Sequence, residues 1–143
     1  MGVEIMSKEK YAIWYSVSTD YENIMSNFIT NDDGSQFERD FHLQDEFIDY
    51  DHAVIIWYGK EQGELGKLSR DKNVTLDEGF DFITSKVSLI LEKKDIDEIS
   101  YLFALPDFEY KGKVKSNGVL CFGGNVTCQR PNSSWLDEIL NGM

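Results

Sequence analysis

The sequence predicts a single α+β domain: a central antiparallel or mixed sheet with helices packed mainly on one face. Three observations carry this. The chain has 143 residues, the size of one domain with a real core. Its apolar residues alternate between strand-like runs and helical spacing, in the order strand, helices, strand, helix, meander. Helix-start signals, a Ser or Thr followed three residues later by an acid, stand at Thr19, Ser35, Thr75 and Ser134. At 41% hydrophobic and 13% aromatic residues, the composition is that of a folded chain. One domain is therefore expected over residues 1–143, with 1–10 a flexible or weakly ordered N-terminus.

The elements follow in order. "YAIWYSVS" (11–18) is aromatic and β-branched and reads as a strand. Thr19 with Glu22 opens a helix whose Ile24, Met25, Phe28 and Ile29 make one apolar stripe, and "NDDG" ends it. Ser35 with Glu38 opens a short helix burying Phe37, Phe41 and Leu43. "HAVIIWYG" (52–59) is nearly apolar throughout and reads as the strongest strand, hence central in the sheet. "GKEQGELGKLSRDKN" is a loop, or a loose hairpin around Leu65 and Leu68. Thr75 with Glu78 starts the longest helix, about 76–93, with Phe80, Ile83, Val87 and Ile90 set to pack on Val54–Trp57. "ISYLFAL", "FEYKG" and "GVLCFGGNVTCQ" read as strands joined by turns at "PD" and "KSNG". "FGGN" marks a bulge or tight turn. Ser134 with Asp137 begins a last helix around "WLDEIL".

Charge is the unusual feature. Fourteen basic and 26 acidic residues leave a formal charge of −12. The densest stretch is "NDDGSQFERDFHLQDEFIDYDH" (31–52). It sets Asp32, Asp33, Glu38, Asp40, Asp45, Glu46, Asp49 and Asp51 against Arg39 alone and threads them with Phe37, Phe41, Phe47 and Tyr50. So acidic a surface repels nucleic acid and anionic membrane, and steers basic proteins toward it. No nucleic-acid or membrane partner is expected. The start carries no signal-peptide pattern and no apolar run reaches the length of a membrane span, which makes the expected location cytoplasmic and both cysteines reduced. Cys121 and Cys128 are seven apart. A regular strand puts them on opposite faces, so a disulfide needs a bend that "GGN" would have to supply.

Readable catalytic patterns are missing. There is no zinc spacing, calcium loop, nucleophile elbow, P-loop or dinucleotide fingerprint. His42 and His52, each beside acids, suit a solvated surface, and Cys121 suits a small buried hydrophobe. The expectation is a non-enzymatic protein with no catalytic residue, no metal and no cofactor. A divalent ion held by carboxylates needs no motif, so a hydrolase or nuclease using the acids of 31–51 stays open, as does a small regulatory binding domain. For the acidic stretch itself two readings stand. It is the wet side of Phe47 and Ile48 as core residues, or it is a partner site with Phe47 and Tyr50 as anchors. The partner-facing set would be Asp32, Asp33, Asp40, Asp45, Glu46, Asp49, Tyr50 and Asp51.

The aromatic strand "AIWYSVS", the block "SQFERDFHLQDEFIDYDHAVIIWYG" and the meander "LFALPDFEYKGKVKSNGVLCFGGNVTC" together resemble bacterial immunity proteins of the Imm22 type, over residues 11–128. The resemblance implies a small α+β protein from a polymorphic toxin or contact-dependent inhibition system. Such a protein binds and silences a cognate basic toxin domain, often a nuclease; the chain itself is expected to be a monomer or weak homodimer. It implies no catalytic residues. Its implied mechanism is an acidic patch that imitates phosphates and plugs a cationic cleft.

Overall fold

The computed structural model describes residues 8–68 and 81–129. They form an α+β domain whose centre is a four-stranded antiparallel sheet in the order β2-β5-β1-β6, accompanied by a two-stranded sheet of β3 and β4. The strands are β1 (Lys8–Ser16), β2 (Val54–Trp57), β3 (Gly66–Lys67), β4 (Glu98–Ile99), β5 (Tyr101–Pro106) and β6 (Cys121–Gln129); the helices are α1 (Tyr21–Ser26), α2 (Gln36–Asp40) and α3 (Asp81–Glu92). β1 begins three residues before the expected strand, so Lys8–Lys10 belong to the sheet.

β1 and β5 form the buried middle, paired from Tyr11 with Pro106 to Ser16 with Tyr101. Alternation along β1 splits its side chains between two cores. Tyr11, Ile13 and Tyr15 join Leu102, Ala104, Val54 and Ile56 beneath α3, which contributes Ile83, Val87 and Leu91. Ala12 and Trp14 join Tyr101, Phe103 and Leu105 on the opposite face, covered by Ile24 of α1 and Phe37 of α2. Two of the three described helices, α1 and α2, thus cover one face and α3 covers the other, because alternate residues of β1 and β5 are apolar on both sides. The second core is largely aromatic: Trp14 meets Phe37 edge-on at 4.9 Å between ring centroids and Phe41 at 5.6 Å.

The expectation that Val54–Trp57 is central fails. Among the described residues β2 lies at the edge, bonded to β5 alone, and Ile55 is 48% exposed. An unbroken apolar run looks the same whether the strand has two neighbours or one, since β2 buries both its ends under separate cores. Its expected packing does hold, with Ile83 and Val87 sharing a core with Val54 and Ile56, and Ile90 packed against it. Phe80 and the Thr75–Glu78 start signal lie outside the described residues, as does the C-terminal helix expected after Ser134.

Local chemistry explains the other departures. Ser16 Oγ accepts from Ser18 N, Ser18 Oγ from Asp20 N, and Asp20 Oδ1 from Asn23 N. This two-residue staircase makes Asp20, not Thr19, the N-cap of α1. The helix stops at Ser26, leaving Ile29 exposed outside the stripe that was expected to bury it. At α2 the expected capping box is complete, with Glu38 N on Ser35 Oγ at 3.1 Å and Ser35 N on Glu38 Oε1 at 3.3 Å. α3 closes at Asp95, whose φ of 63° lets Ile96 N return to Leu91 O.

"FEYKG" (108–112) is not a strand. Asn125 of β6 instead clasps Tyr110 by both amide ends, accepting from Tyr110 N and donating to Tyr110 O, each at 2.8 Å. The expected irregularity at "FGGN" is a bulge: Gly124 pairs with Ile13 while Phe122 pairs with Trp14. That extra residue restores the parity of the cysteines. Cys121 stands opposite Tyr15 and Cys128 opposite Glu9, on one face rather than two. Six positions along β1 still separate them by about 20 Å at the rise of an extended strand, and they are not bonded to each other.

Candidate functional site: the acidic turn and loop around the second helix

The acidic stretch wraps α2 on three sides. Before the helix, residues 31–34 form a tight turn closed by Asn31 N on Gly34 O and Gly34 N on Asn31 O, with Gly34 at a φ of 92°. This holds Asp32 and Asp33 out in solvent. Arg39, the sole arginine of the stretch, reaches back to this turn and donates to Gly34 O at 2.6 Å and Asn31 Oδ1 at 3.2 Å. It neutralises backbone and amide dipoles, not a carboxylate.

After the helix, His42 at a φ of 60° turns the chain, and Leu43 N returns to Glu38 O. Gln44 Nε2 donates to Asp33 O at 3.0 Å, tying the turn and the loop side by side. Asp32, Asp33, Asp45 and Glu46 are brought to neighbouring loops by that bond, all exposed. Asp49 caps the 3-10 turn Tyr50–His52, accepting from His52 N, and pairs with His52 Nδ1 at 2.8 Å. Tyr50 folds back over α2. Its hydroxyl donates to Glu38 Oε2 at 2.6 Å and its ring stacks on Phe103. Desolvation first, and the Glu38 carboxylate second, raise the Tyr50 pKa above its ordinary value.

Not every expected residue faces outward. Asp40 is half-buried, and its Oδ2 accepts from Asn117 Nδ2 at 2.9 Å and from Gln36 Nε2 at 3.3 Å. Asn117 also donates to Asn27 Oδ1 and accepts from Val119 N and Leu120 N. Asp40 is therefore part of an internal knot that joins α1, α2 and the 116–120 turn. Tyr50 is likewise held from within, though its edge stays exposed.

Two apolar side chains stand out beside the acids. Phe47 is 86% exposed, between Glu46 and Ile48, whereas Ile48 packs against the aromatic core. This corrects the view of Phe47 as a core residue with a wet side; Ile48 alone fills that part. Ile55 is the other, missed in the sequence because its strand read as doubly covered. The signal available for Phe47 was a ring inside a run that fits neither helical nor strand spacing. Among the described residues, the ion pairs are Lys10–Glu109 and Asp49–His52, so Asp32, Asp33, Asp45, Glu46 and Asp51 face no cation. No three His, Cys, Asp or Glu among the described residues come together as a metal-holding group, and no described helix is long and apolar enough to cross a membrane.

This is an α+β domain presenting a ring-bearing acidic surface on one side of its sheet. No protein-family model, curated protein or solved structure matches the chain.

Proposed function

We propose that the chain is a non-enzymatic binding protein of the bacterial cytoplasm that neutralises a cognate toxin, a nuclease with a basic active site, by covering that site with the loop 42–53 and the turn 31–34. The observation that carries this reading is Phe47, 86% exposed within the run Asp45–Asp51, where no cation among the described residues answers Asp45, Glu46 or Asp51. A large ring held in water among like charges is unfavourable in the isolated chain on both counts. A basic partner with an apolar pocket relieves both, with the ring as anchor and the acids as steering charges. The loop is braced for such a role by the Gln44–Asp33 and Tyr50–Glu38 hydrogen bonds. The likeness to Imm22-type immunity proteins points the same way.

The test combines Asp45→Asn, Glu46→Gln and Asp51→Asn, leaving Asp49 in place because it caps its turn. A second variant is Phe47→Ser. Each would be checked for intact folding by melting, then titrated against the toxin domain encoded beside the gene at two salt concentrations. The triple variant should associate more slowly and show a flatter salt dependence. Phe47→Ser should weaken binding by about tenfold or more, the scale of an interface anchor. Unchanged affinity and unchanged salt dependence in both variants would overturn the proposal.

A further inference from the structure

The two edges of the main sheet are treated differently. At β6 the outer edge is occupied by the chain itself. Phe122 N donates to Lys115 O, Ser116 bridges to Cys121, and Asn125 clasps Tyr110. At β2 no described residue pairs with the outer edge.

Which groups that edge presents follows from phase. Asp107 N donates to Lys10 O. Alternation then turns the polar backbone of Leu105, Phe103 and Tyr101 toward β1, and that of Ala104 and Leu102 toward β2. Val54 and Ile56 are therefore bonded to β5, and the N–H and C=O of Ile55 and Trp57 point away from the sheet. Val54–Trp57 is short, at four residues, but carries no lysine, no proline, no inward charge and no bulge. Its Ile55 side chain is exposed as well.

Charge selects the occupant. Asp49 and Asp51 precede β2 in the chain, with His52 paired to Asp49; Glu61 and Glu64 follow it, together with Lys60 and Lys67. A second copy would bring the same acids and a net −12 against −12, a repulsion that itself guards the edge from self-pairing. An extended segment carrying lysine or arginine meets the opposite sign in the chain as a whole and in Asp49 and Asp51 at the start of the strand.

We infer that the outer edge of β2, which no described residue pairs, receives an extended, basic segment of a partner protein as a fifth strand, bonded to the backbone of Ile55 and Trp57, with an apolar side chain of the segment set against Ile55. The inference rests on the binding-protein reading but not on the acidic loop being the contact, nor on the partner being a nuclease. Backbone bonds would give the edge affinity without a deep pocket.

The probe is a synthetic peptide of alternating lysine and valine, used with the full chain and followed by amide hydrogen exchange and amide chemical shifts. The control peptide has the same charge but is N-methylated at alternate residues, which removes its strand-pairing donors. The amides of Ile55 and Trp57 should exchange about tenfold more slowly with the probe, the factor of one net hydrogen bond. Those of Val54 and Ile56, already bonded to β5, should be unchanged, and the methylated peptide should protect neither. Ile55→Pro should abolish the protection at Trp57 while the sheet survives, since a proline is tolerated where the lost N–H faces outward. If that variant melts early, Ile55→Asp tests the same contact without a backbone change. Equal effects of both peptides, or shifts confined to Asp45–Asp51, would overturn the edge and leave the acidic loop standing. Protection of Ile55 and Trp57 that survives the triple loop variant would instead uphold the edge while removing the loop as the contact. Protection that grows with protein concentration and no peptide would replace the partner by a second copy and overturn the occupant.

Discussion

Asn117 shows how one side chain organises an irregular region. Its amide nitrogen bonds Asn27 and Asp40, and its oxygen accepts from two successive backbone amides. Asn27 is itself buried and holds the end of α1. Removing the amide leaves several partly buried groups unpaired, so Asn117→Leu should lower stability by about 2–3 kcal/mol in urea melts. Asp40→Ala, which deletes one acceptor of the knot, should cost less and leave the exposed acids untouched. A neutral Asn117→Leu would mean that the knot is ornamental. Tyrosines set a second residue-scale expectation. Burial, with Cys121 contributing next, pushes Tyr15 up to about 12, and burial raises Tyr58 and Tyr101 as well. A raised pKa means the folded state holds the proton more tightly than the unfolded chain, where tyrosine titrates near about 10. Their contribution is complete below that pH and is lost as pH rises through the folded values. Base unfolding should therefore begin just above pH ~10, with tyrosinate absorbance and loss of circular dichroism following one curve. Full ionisation with the fold intact would contradict this.

Among the elements, β3 depends on a close approach that no other residue type allows. A Cβ on Gly66 would stand 1.8 Å from Tyr58 O, and one on Gly59 would stand 2.3 Å from Glu64 O. Both obstacles are backbone, so neither can swing aside. This contact folds 59–66 back on the end of β2, and β3 then pairs with β4 where β2 has left the sheet. Leu68 is buried there, and its carbonyl accepts from Ser88 Oγ of α3. Gly66→Ala should cost about 2–4 kcal/mol, on the scale of an overpacked or strained site. It should also speed exchange at Leu68 N, which is bonded to Asp97 O. Exchange and melting unchanged from the parent would show that this approach is slack.

For the whole molecule, net charge sets the response to salt. At −12, with the exposed acids of 31–51 unanswered by cations among the described residues, the folded state works against its own field. Raising ionic strength from about 0.02 to about 0.2 M shortens the screening length to less than the width of the acidic surface. The melting temperature should rise by about 2–4 °C, the response to several tenths of a kcal/mol or more in a domain of this size. The Asp45, Glu46 and Asp51 variant should start higher and respond less. A melting temperature that falls with salt would show that unrecognised ion pairs dominate.

Elements whose signal is local were legible in the residues. The α2 capping box, the aromatic first strand, the apolar side of α3 and the bulge at "FGGN" each follow from a few neighbouring side chains and recur in the structure. The acidic character of 31–52 was equally plain. What the sequence left open depended on distant partners. Whether β2 is central or edge turns on which strand takes the place beside it, and apolar β-branched residues suit either position. Whether Phe47 or Ile48 enters the core turns on the path of one loop around α2, fixed by Gln44, Tyr50 and their partners eleven and twelve residues away. Asp40 was counted with the exposed acids because its amide partner, Asn117, lies 77 residues on. The sequence alone determined an acidic α+β domain. The tertiary structure decided which acids face water, which ring joins them and which strands flank the described sheet, because those outcomes are set by contacts between segments far apart in the chain.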